Sequence, residues 1–233
     1  MKIALIVPST SHKREWKRIQ DSFLFHSIHS FVNTKSPEYE YRFFIGHDHD
    51  DPFYTEMTKT QFADEFSPLE IQFLPLTVEK GHVTKMWNEL ARVACEWGAE
   101  YLYQCGDDIL FANLGWIRAS VEALQAHGNV GLTGPRNVNG NTQILTQCFV
   151  HRSHVDIFGG CFFPEEILNW YCDDWINGIY GVLNRVYPIP ANLLCANIGG
   201  AERYDVVVCP ELCRSLIIRD FPKIINYVRS RNG

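Results

Sequence analysis

KGHVTKMWNELARVACEWGAEYLYQCGDDILFANLGW, residues 80–116, is the stretch that decides the fold. Val83, Met86, Leu90, Val93 and Trp97 step by threes and fours, the period of a helix with one apolar face, and Gly98 ends it. YLYQC at 101–105 then reads as a buried strand. It runs out into Gly106-Asp107-Asp108, and the apolar Ile109-Leu110-Phe111 follows at once.

The same alternation extends toward the N-terminus. KIALIV at 2–7 is a strand ending at Pro8, and Trp16, Ile19, Phe23 and Phe31 predict an amphipathic helix from about 12 to 31. YRFFIG at 41–46 and IQFLPL at 71–76 are further strands. Residues 115–127 predict a helix and NVGLTGP at 129–135 a strand. Strand and helix in turn specify an α/β chain: an open, mostly parallel, Rossmann-like sheet with helices on both faces. Ligands of such sheets sit beyond the carboxyl ends of the strands. Ser9 and Thr10, Asp48 and Asp50, and Asp107 and Asp108 all follow strands, so three strands deliver hydroxyls and carboxylates to one edge.

The rest is less regular. QILTQCFVH at 143–151 reads as a strand, 163–181 as one or two short helices, and VVVC at 206–209 as a strand after YPIPANLL. A last helix is expected after Asp220, with Pro222 in its first turn. No linker or repeat interrupts the chain, so the expectation is a single domain over 1–233.

Composition narrows the function. The chain has 233 residues, 46% of them hydrophobic, enough for one large core, which excludes a disordered or low-complexity protein. A net charge of −6 gives no broad positive field, arguing against nucleic acid or an anionic membrane as partner. No apolar run approaches the roughly 20 residues of a membrane span, and the N-terminus turns polar too soon for a signal peptide. The eight cysteines form no C-x-x-C pair and lie mostly in apolar segments, so they read as buried free thiols of a reducing, cytoplasmic compartment.

Adjacent carboxylates such as Asp107 and Asp108 repel unless something positive stands between them and a ligand. A divalent ion bridging carboxylate to phosphate would serve, and oxygen ligands favour Mg²⁺ or Mn²⁺; a solvated turn or a helix N-cap pair is the alternative. Pro8-Ser9-Thr10 is either a capping turn or a hydrogen-bonding loop. In the basic run that follows it, Arg14 lies near enough to meet a diphosphate, with Lys80 and Lys85 as lesser candidates.

In its order of elements, residues 80–116 resemble the central part of GT-A-type glycosyltransferases, which transfer a sugar from a nucleotide-sugar donor. The likeness takes in the Pro-Ser turn after the first strand and the late Cys172-Asp173-Asp174-Trp175, and covers most of residues 2–180. It is similar to compact single-domain members of the kind found in large DNA viruses and bacteria. The resemblance implies a nucleoside diphosphate sugar donor, UDP-linked by preference, a glycan or other hydroxyl acceptor, and Mn²⁺ or Mg²⁺, with about 1–110 as a nucleotide-binding half and about 111–233 as an acceptor-binding half. It makes Asp108, with Asp107, the metal ligand, and Asp107 also a ribose contact. Pro8, Ser9, Thr10, Asp48 and Asp50 would receive the nucleoside. Asp174 would be the general base of an inverting transfer, with Asp173 binding the acceptor or orienting the base. Arg136, Asn137 and Asn139 would bind hydroxyls, and Trp170 or Trp175 would stack on a sugar. Gly199–Tyr204 would be a lid with Arg203 reaching the diphosphate.

The sequence departs from the family pattern in two places. Gly106 stands where the family's D-x-D begins, while a literal D-x-D, Asp48-His49-Asp50, follows the second strand. His151 and His154 are candidate metal ligands, but the late histidine of many relatives has no counterpart after His154, leaving Asn197 or water for that place. A catalytically silent binding module of the same fold and a nucleotidyltransferase are the competing readings. The second normally has a glycine-rich loop after its first strand, and this chain has none there.

Overall fold

The run of apolar residues after Lys2 leaves no polar face, so the strand it forms must be covered on both sides. In the computed structural model, which describes residues 1–232, this strand, β1 (Lys2–Pro8), lies at the centre of the main sheet. β2 (Glu40–Asp48), β3 (Glu70–Leu76) and β4 (Tyr101–Gln104) run parallel to it, and β7 (Cys148–His151) joins β4 antiparallel. The order is β3-β2-β1-β4-β7.

Alternate residues of β1 feed two cores. Ile3, Leu5 and Val7 pack with α1 (Phe23–Thr34), α2 (Glu56–Glu65) and α4 (Trp116–Gln125). Ala4 and Ile6 face α3 (Val83–Trp97), with α5 (Ser153–Ile157), α6 (Cys172–Gly181) and α7 (Pro210–Asn232) beyond. α3 starts and stops where its periodicity says, and Gly98 closes it at φ 92°, a left-handed conformation that needs no Cβ. Asn88 of α3 binds the other half of the chain: its side chain accepts from Phe162 N and Phe163 N and donates to Phe163 O.

A second, small sheet is built from β5 (Ile109–Phe111), β6 (Arg136–Asn137) and β8 (Leu194–Asn197), in the order β5-β8-β6. It ties the Asp107-Asp108 turn to the end of β8, where Ile198 N donates to Asp108 O at 2.7 Å.

Several elements differ from the sequence expectation. The helix expected over 12–31 is a loop as far as 18, then one 3-10 turn, with α1 proper starting after the Ser22 cap. Trp16 gave a helical period only by coincidence: it packs from the loop, edge-on to Phe23 and Phe53. NVGLTGP makes only isolated bridges at Leu132 and Thr133, and residues 206–209 form no strand but an irregular segment leading into α7. The last helix begins at Pro210, so Pro222 is inside it; packing on α6, where Gly178 admits Ile217, offsets the hydrogen bond that proline removes.

Candidate functional site

The strand order reverses between β1 and β4, and at this point an open α/β sheet leaves a crevice beyond its strand ends. A cleft of about 770 Å³ lies there. Pro8, Ser9 and Thr10 from β1, Asp48 from β2, Gly106, Asp107 and Asp108 after β4, and Asp173 and Asp174 on α6 all line it, with Arg14 and Arg203.

On one side the contacts are polar. Buried Tyr54 hydrogen-bonds Ser9 Oγ, which donates to Asp107 Oδ2 at 2.5 Å, while Arg203 Nη2 donates to Asp107 Oδ1 at 2.5 Å. Both oxygens of Asp107 are therefore engaged. Asp48 accepts from Tyr204 O–H at 2.5 Å, and the Tyr204 ring stacks on His12 with centroids 5.1 Å apart. Arg14 Nη2 donates to Ala201 O at 2.7 Å. The 199–205 segment is thus a strap across the cleft, with Gly199 and Gly200 at φ 90° and 122° at its start.

Asp108 is the underneutralised carboxylate. Burial, then the charge of Asp107, pushes it up to about 6. Its Oδ1 folds back over Gly106, where an added Cβ would stand only 2.6 Å away, so the missing side chain at 106 leaves room for the carboxylate of 108. Among the described residues no three His, Cys, Asp or Glu side chains gather as a metal cage. A hard cation held by one or two carboxylates and completed by phosphate oxygens and water still fits this donor set.

Across the cleft, Asp173 and Asp174 occupy the first turn of α6, where the helix dipole favours negative charge. Asp174 is exposed, whereas burial, followed by the charge of Asp174, raises Asp173 to about 7. Trp170, 53% exposed, lies at the cleft.

Other expected site residues fall elsewhere. Trp175 cannot stack on a ligand: it is buried in the core and its Nε1 donates to buried Asp220. Asp50 pairs with Lys80 at 2.8 Å on the surface, and neither lines the cleft; Asp51, overlooked in the sequence, instead organises the β1 turn, accepting from Ser11 N and Oγ and from Thr10 Oγ1. Lys85 is likewise outside, beside Glu165. Arg136 is exposed away from the cleft. Asn137 and Asn139 hydrogen-bond to Asn197, whose side-chain carbonyl is thereby taken up in joining β6 to β8. His154 is buried between Tyr180 O–H and Phe162 O and pushed down to about 4 by burial, so neither ring nitrogen is available to a metal. His151 Nδ1 accepts from Ser153 N. Tyr54 and Asn169 carry no motif, and Tyr204, though within the expected lid, has no sequence signal for its bond to Asp48: each matters through contacts with distant residues.

No protein-family model matches the chain, and no curated protein matches it in sequence. Its fold is shared with solved structures. S. aureus TarS 1-349 in complex with UDP-GlcNAc superposes with a TM-score of 0.63 at 16% identity, over 97% of this chain and 66% of that one. The mannosyltransferase PcManGT from Pyrobaculum calidifontis, in complex with GDP-Man and Mn²⁺, gives 0.59 at 12% identity, over 98% and 74%. The chain spans only 36% of a longer TarS structure. The architecture is therefore the GT-A-like α/β fold expected from residues 80–116.

Proposed function

We propose that this chain is an inverting glycosyltransferase that takes a sugar from a nucleoside diphosphate sugar, UDP-linked by preference, to a hydroxyl. The observation that carries the reading is the convergence of Asp48, Asp107, Asp108, Asp173 and Asp174 on one cleft at the switch point of a fold shared with nucleotide-sugar complexes. Residues up to about 110 form the nucleotide side, while Asp173 and Asp174, from the later part, face the acceptor.

The nucleoside would be received by Ser9, Thr10 and Asp48. Tyr204 holds Asp48 and Arg203 holds Asp107, so a donor that engages these carboxylates would take the place of those contacts, with Arg203 and Arg14 turning to the diphosphate. Asp108, supported by Asp107, would hold Mg²⁺ or Mn²⁺, which when bound neutralises charge growing on the departing diphosphate. Of the two acceptor-side carboxylates, Asp173 is the better base: a proton acceptor works best with a pKa near the working pH, and its burial puts it there. Exposed Asp174 then holds the acceptor. This exchanges the roles that the family resemblance implied. The eight free cysteines support a reducing compartment.

The test is a thermal-shift screen of UDP and GDP with and without Mn²⁺ on the wild type and Asp108→Asn. A metal-dependent rise with one nucleotide, lost in the variant, is expected; no rise with any nucleotide sinks the proposal.

A further inference from the structure

We infer that Tyr54 is a positioning residue: acting through Ser9, it keeps the Asp107 carboxylate in place for a divalent cation once the strap lets go. The inference rests on the glycosyltransferase reading above. Tyr54 does not line the cleft and is only 4% exposed. It stands behind the β1 turn, where its ring stacks on His47 with centroids 4.7 Å apart and meets Phe53 edge-on at 5.2 Å. His47 is itself tied, since its Nδ1 can only donate to the carbonyl oxygen of Asp48, at 2.8 Å. Packed rings therefore fix where the Tyr54 hydroxyl sits.

The direction of the hydrogen bonds follows from the groups themselves. A carboxylate paired with an arginine only accepts, so Ser9 gives its single proton to Asp107 Oδ2. Ser9 Oγ must then accept from Tyr54, whose O–H is the donor. Of the two side chains bonded to Asp107, Arg203 is the one that turns to the diphosphate on the proposed reading. Ser9 remains. A lone serine hydroxyl rotates about its Cβ–Oγ bond and can present its proton elsewhere. With Tyr54 donating to it, the proton is directed at Asp107, and the two successive bonds polarise each other. Partners of this kind, one bond behind a metal ligand, change metal affinity without touching the ion.

The experiment is calorimetric titration of the full chain, with Mn²⁺ in saturating UDP and with UDP in the absence of metal. Wild type, Tyr54→Phe, Ser9→Ala and the double variant are compared; Tyr54→Phe keeps the ring and removes only the hydroxyl. Tyr54→Phe is expected to weaken Mn²⁺ about tenfold and to leave metal-free UDP binding unchanged, a split that general loosening of the turn would not give. Ser9→Ala is expected to weaken Mn²⁺ at least as much, and adding Tyr54→Phe to it should change Mn²⁺ affinity no further. Unaltered Mn²⁺ affinity in Tyr54→Phe, additive losses in the double variant, or an equal loss of metal-free UDP binding overturns the positioning role while the UDP response stands. So does a wild type that binds UDP and takes up no Mn²⁺. A wild type that gives no response to UDP or GDP overturns the underlying glycosyltransferase reading, and the role of Tyr54 with it.

Discussion

At the scale of single residues, environment separates carboxylates that the sequence lists as equals. Asp173 and Asp174 are neighbours, yet the second is exposed while burial pushes the first up to about 7. If Asp173 is the base, log kcat/KM rises by about one per pH unit up to roughly 7 and then levels. Asp173→Asn should lower kcat by about 10²–10⁴-fold and remove that limb, with Asp174→Asn acting mainly on acceptor KM. The opposite ranking in steady-state kinetics would return the role to Asp174. The same shift bears on stability. Because the folded state holds this proton more tightly than the unfolded chain, its contribution is full below about 4 and is lost as pH rises through about 7. Melting curves should therefore show Asp173→Asn gaining on the wild type as pH rises across that window. At Gly106, substitution by Ala forces the Asp108 carboxylate to move, and Mn²⁺ affinity measured in the presence of UDP is expected to fall about 10–100-fold.

Secondary-structure elements act here mainly through where they touch. Asn88 sits in the middle of α3 and holds two backbone N–H groups of the 162–163 segment, which leads on to Asp173. Asn88→Ala strands them in the core, and a loss of about 2 kcal/mol or more in denaturant unfolding is expected; a loss near zero would mean that the segment re-pairs elsewhere. The strap is pinned at Asp48 and Asp107 by Tyr204 and Arg203, which on the proposed reading a donor would have to displace. Arg203→Gln is expected to tighten the binding of Mn²⁺ alone severalfold, by freeing Asp107, and to weaken that of UDP with Mn²⁺. Isothermal titration of each would tell, and a variant weaker in both would deny the competition.

For the whole molecule, the net charge of −6 excludes a general attraction for anions, while Asp48, Asp107, Asp108, Asp173 and Asp174 line one cleft with Arg14 and Arg203, and on the proposed reading a divalent cation would reverse the local sign there. Seven of the eight cysteines lie in or against the two cores, with Cys161 outside them; five are buried and three half-buried. A thiol reagent should titrate all eight in denaturant without reductant, and in the native protein only Cys95, Cys161 and Cys209 at an appreciable rate; fewer than eight in denaturant would reveal a disulfide. Much of this architecture is local information. The periodicity of 83–97, the Gly98 stop, the apolar strands and the carboxylates at their ends follow from which residues lie three, four or one apart, and they determine the parallel sheet and the edge where chemistry occurs. What is decided by tertiary structure is which polar group ends up where. Trp175 and His154 are withdrawn into the core, Asp50 is left outside, Tyr54 orients Ser9, and Tyr204 reaches Asp48 across 156 residues of chain. Burial and pairing set a side chain's charge and availability, and both depend on residues far away in sequence, so no local pattern encodes them.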